Sequence, residues 1–237
     1  MKKLRFISMM CLLALFVVSL TGCKKEENNT NNGSGSNQAD YVDLGLPSGI
    51  QWATCNVGAE TPEGYGTYFA WGETQPKSDY SWATYKYCVG GRDRLTKYCN
   101  VAEFGNEGFI DNLFFLQPTD DAATVNWGGK WRTPTCDEWS ELWNNCDHVM
   151  TVQNGVHGML LTSQFNGKTI FFPAASNYDG VTLIDVDARG SYWLSDLFKM
   201  SYPYAAWFVI FSINDYVNTN YDSRCMGRTV RPVRFAQ

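Results

Sequence analysis

One stretch of this chain carries a helical period long enough to bury a face: WRTPTCDEWSELWNNC, residues 131–146. Thr135 is a good N-cap, and Glu138 three residues on completes a capping box. Pro134 blocks any helix arriving from upstream, since the residue before a proline is pushed into extended backbone. Trp139, Leu142, Trp143 and Cys146 then fall at i, i+3, i+4 and i+7, one apolar stripe. The pattern predicts a main helix over about 135–146. Asp137, Glu138 and Glu141 lie near its start, where the helix dipole favours acids. Capping and solubility account for them better than a catalytic or metal cluster. DDAATVNWG, residues 120–128, gives a second, shorter helix. The remaining large apolar residues have to be buried by strands. SGIQWATCNVG, GTYFAWGE, GSYWLSD, AAWFVIFS and TVRPVRF are apolar runs bounded by turn residues, and GMLLTSQFNGKTIFFPAA reads as a hairpin around Asn166-Gly167. Pro232 lies inside the last run, which should therefore form an edge strand or start late. The fold class is α+β, with small antiparallel sheets, one main helix and long loops.

The N-terminus bounds where this fold begins. A basic start and an apolar run from Met9 to Leu20 have the length of a signal-peptide core and are too short to span a bilayer. Leu20-Thr21-Gly22-Cys23 resembles a bacterial lipobox, which implies that Cys23 is acylated and becomes the first mature residue. Lys24-Lys25-Glu26-Glu27 resembles the surface-export signal of Bacteroidetes lipoproteins. NNTNNGSGSNQAD follows, too polar to bury a core, and reads as a flexible tether. The division expected is a signal peptide over 1–22, an anchor and tether over 23–40, and one folded domain over 41–237, in an outer-membrane lipoprotein exposed at the cell surface. Removing the signal leaves 16 basic against 24 acidic side chains, a formal charge of −8. No basic patch is present, so nucleic acid is not an expected partner.

Six cysteines remain after Cys11 and Cys23: Cys55, Cys88, Cys99, Cys136, Cys146 and Cys225. In an exported chain they can form disulfides. CVGGRDRLTKYC holds a Gly-Gly turn between Cys88 and Cys99, and a bridge closing that short loop would contribute roughly 3 kcal/mol. Cys136 and Cys146 are about 15 Å apart along the expected helix, too far to join.

YVDLGLPSGIQWATCNVGAETPEGYGTYFAWGET, WGGKWRTPTCDEWSELWNNC, IFFPAASNYDG, GSYWLSD and GRTVRPVR occur in that order. Together they resemble the Fibrobacter succinogenes major paralogous domain, over nearly all of residues 41–234. That domain is similar in turn to the C-type-lectin-like fold of formylglycine-generating enzymes and of retroelement-diversified variable proteins. The resemblance implies chain ends paired in a small sheet and loops displayed on one side. It does not carry the enzyme's copper site. That site uses a close pair of cysteines in the C-terminal half, and here Cys225 stands alone. His148 and His157 are the only histidines, without zinc spacing and without a Gly-x-Ser-x-Gly elbow for a triad. Asp185, Asp187, Gly190 and Asp196 imitate part of a calcium loop, but Arg189 occupies a ligand position. No cofactor, metal site or catalytic residue is expected.

SINDYVNTNYDSR, residues 212–224, lies between two apolar runs, and ten of its thirteen residues are Asn, Asp, Tyr, Ser or Thr. It reads as a displayed loop with the composition of recognition surfaces. Its neighbour YWLSDLFKMSYPYAAW is rich in Tyr and Trp. The expected ligand-binding residues are Tyr192, Trp193, Tyr202, Tyr204, Asn214, Tyr216, Asn218, Asn220, Tyr221 and Asp222, for a glycan or protein ligand. A structural or adhesive part of a surface assembly is the alternative reading, and an oxidase related to the formylglycine-generating enzymes is a third.

Overall fold

The computed structural model describes residues 40–199 and 202–236. The signal segment, Cys23 and the tether up to residue 39 lie outside the described residues. In chain order the elements are strands β1 (Tyr41–Val42) and β2 (Ile50–Ala53), helices α1 (Ala122–Trp127) and α2 (Cys136–Asn144), then strands β3 (Cys146–Gln153), β4 (Val156–Ser163), β5 (Thr169–Pro173), β6 (Asn177–Asp179), β7 (Thr182–Ile184), β8 (Arg189–Leu197), β9 (Ala205–Ser212), β10 (Tyr216–Ser223), β11 (Gly227–Arg228) and β12 (Val233–Phe235). Among the described residues the strands form four three-stranded antiparallel sheets, ordered β1-β2-β12, β3-β4-β5, β11-β6-β7 and β10-β9-β8. The α+β class expected from the sequence holds, with strands predominating.

Helix α2 starts where its sequence dictates. The Thr135 hydroxyl accepts from the Glu138 N–H at 3.2 Å, and the Glu138 carboxylate accepts from the Thr135 N–H at 2.9 Å. Glu138 is also bound by Arg132. Trp139 and Leu142 are buried and Trp143 is partly buried against the same core. The helix stops at Asn144, short of the expected 146, and Cys146 opens β3 opposite Ser163. Asn144-Asn145 is a weak helical pair that exits readily into the strand. Asp121 caps α1 by accepting from the Ala123 and Thr124 N–H groups.

The chain ends meet on either side of β2, with β12 starting just after Pro232. This agrees with the late, edge placement that proline demands. The hairpin of β4 and β5 forms as expected, but its turn is the wider segment 164–168, with Gly167 at φ +69°. The tight turn belongs to Asn154-Gly155, both at positive φ, joining β3 to β4. GTYFAWGE does not become a strand. Phe69 makes a single bridge to Arg228, and Gly72, at φ +82°, turns the chain away.

No disulfide joins the cysteines of the described residues, so the expected Cys88–Cys99 bridge is absent. The Gly-Gly turn does form, but it sets Leu95 opposite Cys88. Cys99 lies four residues beyond. The Cys88 thiol donates to the Trp82 carbonyl and the Cys99 thiol to the Val101 carbonyl, each at 3.2 Å.

The β10-β9-β8 sheet divides the interior in two. Side chains alternate between its faces. Tyr192, Val209 and Phe211 enter one core with Trp52, Trp139, Leu142 and Phe172; Trp193, Ala206 and Phe208 enter the other with Phe69, Trp71 and Tyr98. Being covered on both sides explains why AAWFVIFS is continuously apolar instead of alternating. β10 lies at the sheet's outer edge.

Candidate functional site

SINDYVNTNYDSR is a strand hairpin, not a loop. Strand β10 pairs with β9 along its whole length, from Tyr216 opposite Ser212 to Ser223 opposite Ala205. Only residues 213–215 turn. Asp215 takes φ +64°, a left-handed conformation that Asp tolerates, and its N–H donates to the Ser212 carbonyl at 3.1 Å. Tyr216, Val217, Thr219 and Tyr221 are good strand formers, and they were the signal for this strand within its polar composition.

The pairing sorts the expected ligand-binding residues. Tyr216, Asn218, Asn220 and Asp222 point to one face of the sheet, and Val217, Thr219, Tyr221 and Ser223 to the other. Asn214 sits in the turn. Asn214, Tyr216, Asn218, Asn220 and Tyr221 are all exposed. On the first face the Asn218 amide donates to the Tyr216 hydroxyl at 3.1 Å, which fixes the two side chains together. At the tip, Asp215 meets the His148 ring at 3.3 Å, and that imidazole lies 4.4 Å from the Trp143 ring. Helix α2 and strand β3 thereby lie against the end of the hairpin.

Three of the ten residues are committed to the fold, two of them in the interior. Tyr192 and Trp193 stand on β8, facing the two cores, with 3% and 1% of their surface exposed. The Tyr192 hydroxyl donates to the Pro173 carbonyl at 2.5 Å and the Trp193 indole N–H to the Phe69 carbonyl at 2.8 Å. Burial pushes the Tyr192 phenol well above its ordinary pKa. Asp222 is the counter-ion of Arg228, whose Nη2 donates to it at 2.6 Å. Arg228 is fully enclosed. Its Nε donates to Ser191 Oγ at 2.8 Å and its guanidinium lies 3.9 Å from the Phe208 ring centre and 4.4 Å from that of Trp193. Burial lowers the Arg228 pKa, and Asp222 opposes that shift.

The remaining aromatic candidates, Tyr202, Tyr204 and Tyr221, gather around Phe198 at the end of the sheet. Tyr221 stacks on Phe198 at 3.8 Å and meets the edge of Trp207 at 5.8 Å. Tyr202 lies parallel to Phe198 at 6.2 Å and 5.5 Å from Tyr204. Tyr204 in turn contacts Phe104 at 5.3 Å, with the Arg92 guanidinium 4.9 Å from its ring. Ring contacts therefore join Tyr202, Tyr204 and Tyr221 in one aromatic shelf at the end of the sheet, with Tyr221 on the opposite face from Tyr216, Asn218 and Asn220. Phe198, Trp207, Phe104 and Arg92 were missed by the sequence reading. Phe104 and Arg92 come from a segment about a hundred residues upstream, which no local pattern links to the hairpin.

Other polar clusters have saturated geometry. Asp120 accepts from Tyr87 at 2.5 Å, Tyr98 at 2.6 Å and Lys97 at 2.5 Å. His157 meets Asp187 at 2.7 Å, and Asp187 also accepts from the His157 backbone N–H at 2.8 Å. The calcium-like string is dispersed: Asp185 pairs with Arg189, Asp187 with His157, and Asp196 accepts from the Cys136 N–H. Among the described residues no group of three or more His, Cys, Asp or Glu side chains could hold a metal ion, and no helix is long and apolar enough to cross a membrane. Compared with known protein families, curated proteins and solved structures, the chain matches none.

Proposed function

We propose that the chain is a surface-anchored binding module that recognises its ligand with the β9–β10 hairpin and the shelf beside it, and has no catalysis of its own. One observation carries this reading. The hairpin is built on two strands buried on both sides, yet it presents Asn214, Tyr216, Asn218, Asn220 and Tyr221 outward. A rigid base beneath adaptable polar and aromatic side chains suits recognition, because little side-chain order is lost on binding. The motifs resembling the major paralogous domain, the ends flanking β2 and the single capped main helix support a C-type-lectin-like fold. Cys225 is a free, buried thiol pushed up to about 12 by burial, and that argues against an oxidase using a reactive cysteine pair.

The alternative, a structural or adhesive subunit, is favoured by the edge position of β10, which is open to a neighbouring strand. Against it, the Tyr221 N–H donates to Asn220 Oδ1 at 2.8 Å and the Ser223 N–H to Asp222 Oδ1 at 2.6 Å, so neither is offered to an incoming strand.

A glycan and protein array tests the reading. It should be probed with the parent chain and with a five-fold variant in which Asn214, Tyr216, Asn218, Asn220 and Tyr221 are Ala or Ser. Spots bound by the parent alone are expected; identical binding by both would place the site elsewhere. We also propose anchoring to the outer membrane through a lipid on Cys23, with no nucleic-acid partner. Cys23→Ala should abolish incorporation of labelled fatty acid and release the chain from the membrane fraction, whereas label retained in the variant contradicts the anchor. More than one acyl chain is expected, since a single chain holds a protein to a bilayer only marginally.

A further inference from the structure

The aromatic shelf has features that the binding reading does not use. Tyr202 and Tyr221 keep 43% and 41% of their surface exposed although each ring is aligned against Phe198. Their positions are set from beneath, by Phe198 and Trp207, so their outer faces are available without loss of packing. Among the described residues none of the hydroxyls of Tyr202, Tyr204 and Tyr221 is bonded within the protein. Two exposed cations lie against neighbouring rings. Arg92 lies over Tyr204 at 4.9 Å, and Lys199, next to Phe198 in the chain, places its ammonium 4.6 Å from the Phe115 ring centre. Neither comes within ion-pair distance of a described acid, although Lys199 is near enough to Asp196 to favour that carboxyl's charged form. Acids are the commoner charge here, so Arg92, left without an acidic partner beside the aromatic surface, marks a local preference for an anion, to which Lys199 adds the part of its charge that Asp196 does not offset.

We propose that this shelf is a subsite for an acidic oligosaccharide. Sugar rings would lie against Tyr202 and Tyr221, whose flat faces accept axial C–H groups, and the free phenol groups would bond sugar hydroxyls. Carboxylate or sulfate groups on the sugar would reach Arg92 and Lys199. A protein ligand would find the same rings, but a saccharide fits the combination better, because it needs flat apolar faces and hydroxyl partners side by side and offers charge at regular spacing. The inference rests on the binding-module reading and narrows its ligand class.

Titration calorimetry on the full chain, kept in mild detergent, tests it. The acidic probes are an oligogalacturonate and a heparin-derived octasaccharide, and a xylo-oligosaccharide is the neutral control. At least one acidic probe should bind, the neutral one should not, and added salt should weaken the binding. Arg92→Gln with Lys199→Gln should reduce affinity by about tenfold. Tyr202→Ala with Tyr221→Ala should reduce it by at least as much. The charge variant leaves every ring in place, so it decides the matter independently of the ring variant. Equal affinity for neutral and acidic probes, or acidic binding that the charge variant leaves intact, overturns the proposal. If the chain instead binds a protein or neutral glycan that the ring variant abolishes, the acidic ligand falls and the binding module stands. If neither variant alters binding to any partner, both fall.

Discussion

Arg228 decides what Asp222 can do. A guanidinium enclosed by Phe208, Trp193 and Ser191 cannot shed its charge, so the one carboxylate it reaches is committed to it. Asp222→Ala should cost about 1–3 kcal/mol by leaving a buried charged donor unsatisfied. Adding Arg228→Met should recover part of the loss, since a well-packed apolar side chain often replaces a buried pair without penalty. A double-mutant cycle by chemical denaturation measures this, and an unchanged midpoint for Asp222→Ala would return Asp222 to the list of surface residues. The same ending holds Arg224, Arg231 and Arg234, all buried, with rings of Trp71, Phe172 and Tyr41 respectively beside them. GRTVRPVR was legible as a closing strand, but its arginines gave no sign that they would face inward. Tyr192 and Trp193 show the same ambiguity from the other side: Tyr and Trp serve equally in cores and in binding sites. Trp193→Ala should cost about 3–5 kcal/mol, whereas Tyr216→Ala should stay within about 0.5 kcal/mol. Thermal melts of the two variants compare them directly.

At the scale of elements, local signals located the pieces and misjudged one boundary that mattered. The capping box placed α2, Pro232 placed β12, and the apolar runs placed β8 and β9. Strand β10 was hidden because its composition is that of a loop and its order comes from β9, eight residues of cross-strand pairing with a partner held on both faces. The turn that joins them depends on Asp215 at φ +64°. Asp215→Val should therefore destabilise by about 1–2 kcal/mol, while Asp215→Gly should be nearly neutral because glycine takes that conformation freely. The contact with His148 that both changes remove is exposed and contributes little. Equal losses for Val and Gly, measured by denaturant unfolding, would show that the contact and not the backbone matters.

For the whole molecule, two cores share one sheet, and the long segment between β2 and α1 closes the second of them. That segment is fastened by Asp120. Burial alone would raise its carboxyl, but the hydrogen bonds from Lys97, Tyr87 and Tyr98 outweigh burial and hold its pKa below the ordinary 3.8. A depressed carboxyl contributes stability that is present above its unfolded pKa and is lost as pH falls through the folded value. The chain should thus lose stability below about pH 4, and Asp120→Asn should flatten that acid limb; a parallel acid limb in the variant would exclude Asp120 as its source. Buried Asp121, raised by desolvation, acts in the opposite sense, favouring the fold at low pH and giving that contribution up as pH rises. None of this long-range fastening has a periodicity to read, since its partners are separated by up to 33 residues and meet only in the fold. The central claim is that the outward side chains of the C-terminal hairpin recognise a ligand and do not hold the structure together. Its most direct test is the melting temperature of the five-fold variant at Asn214, Tyr216, Asn218, Asn220 and Tyr221. The expected result is a shift of no more than about 4 °C from the parent. A fall of more than about 10 °C would mean that these residues are packed structure, and would contradict the claim.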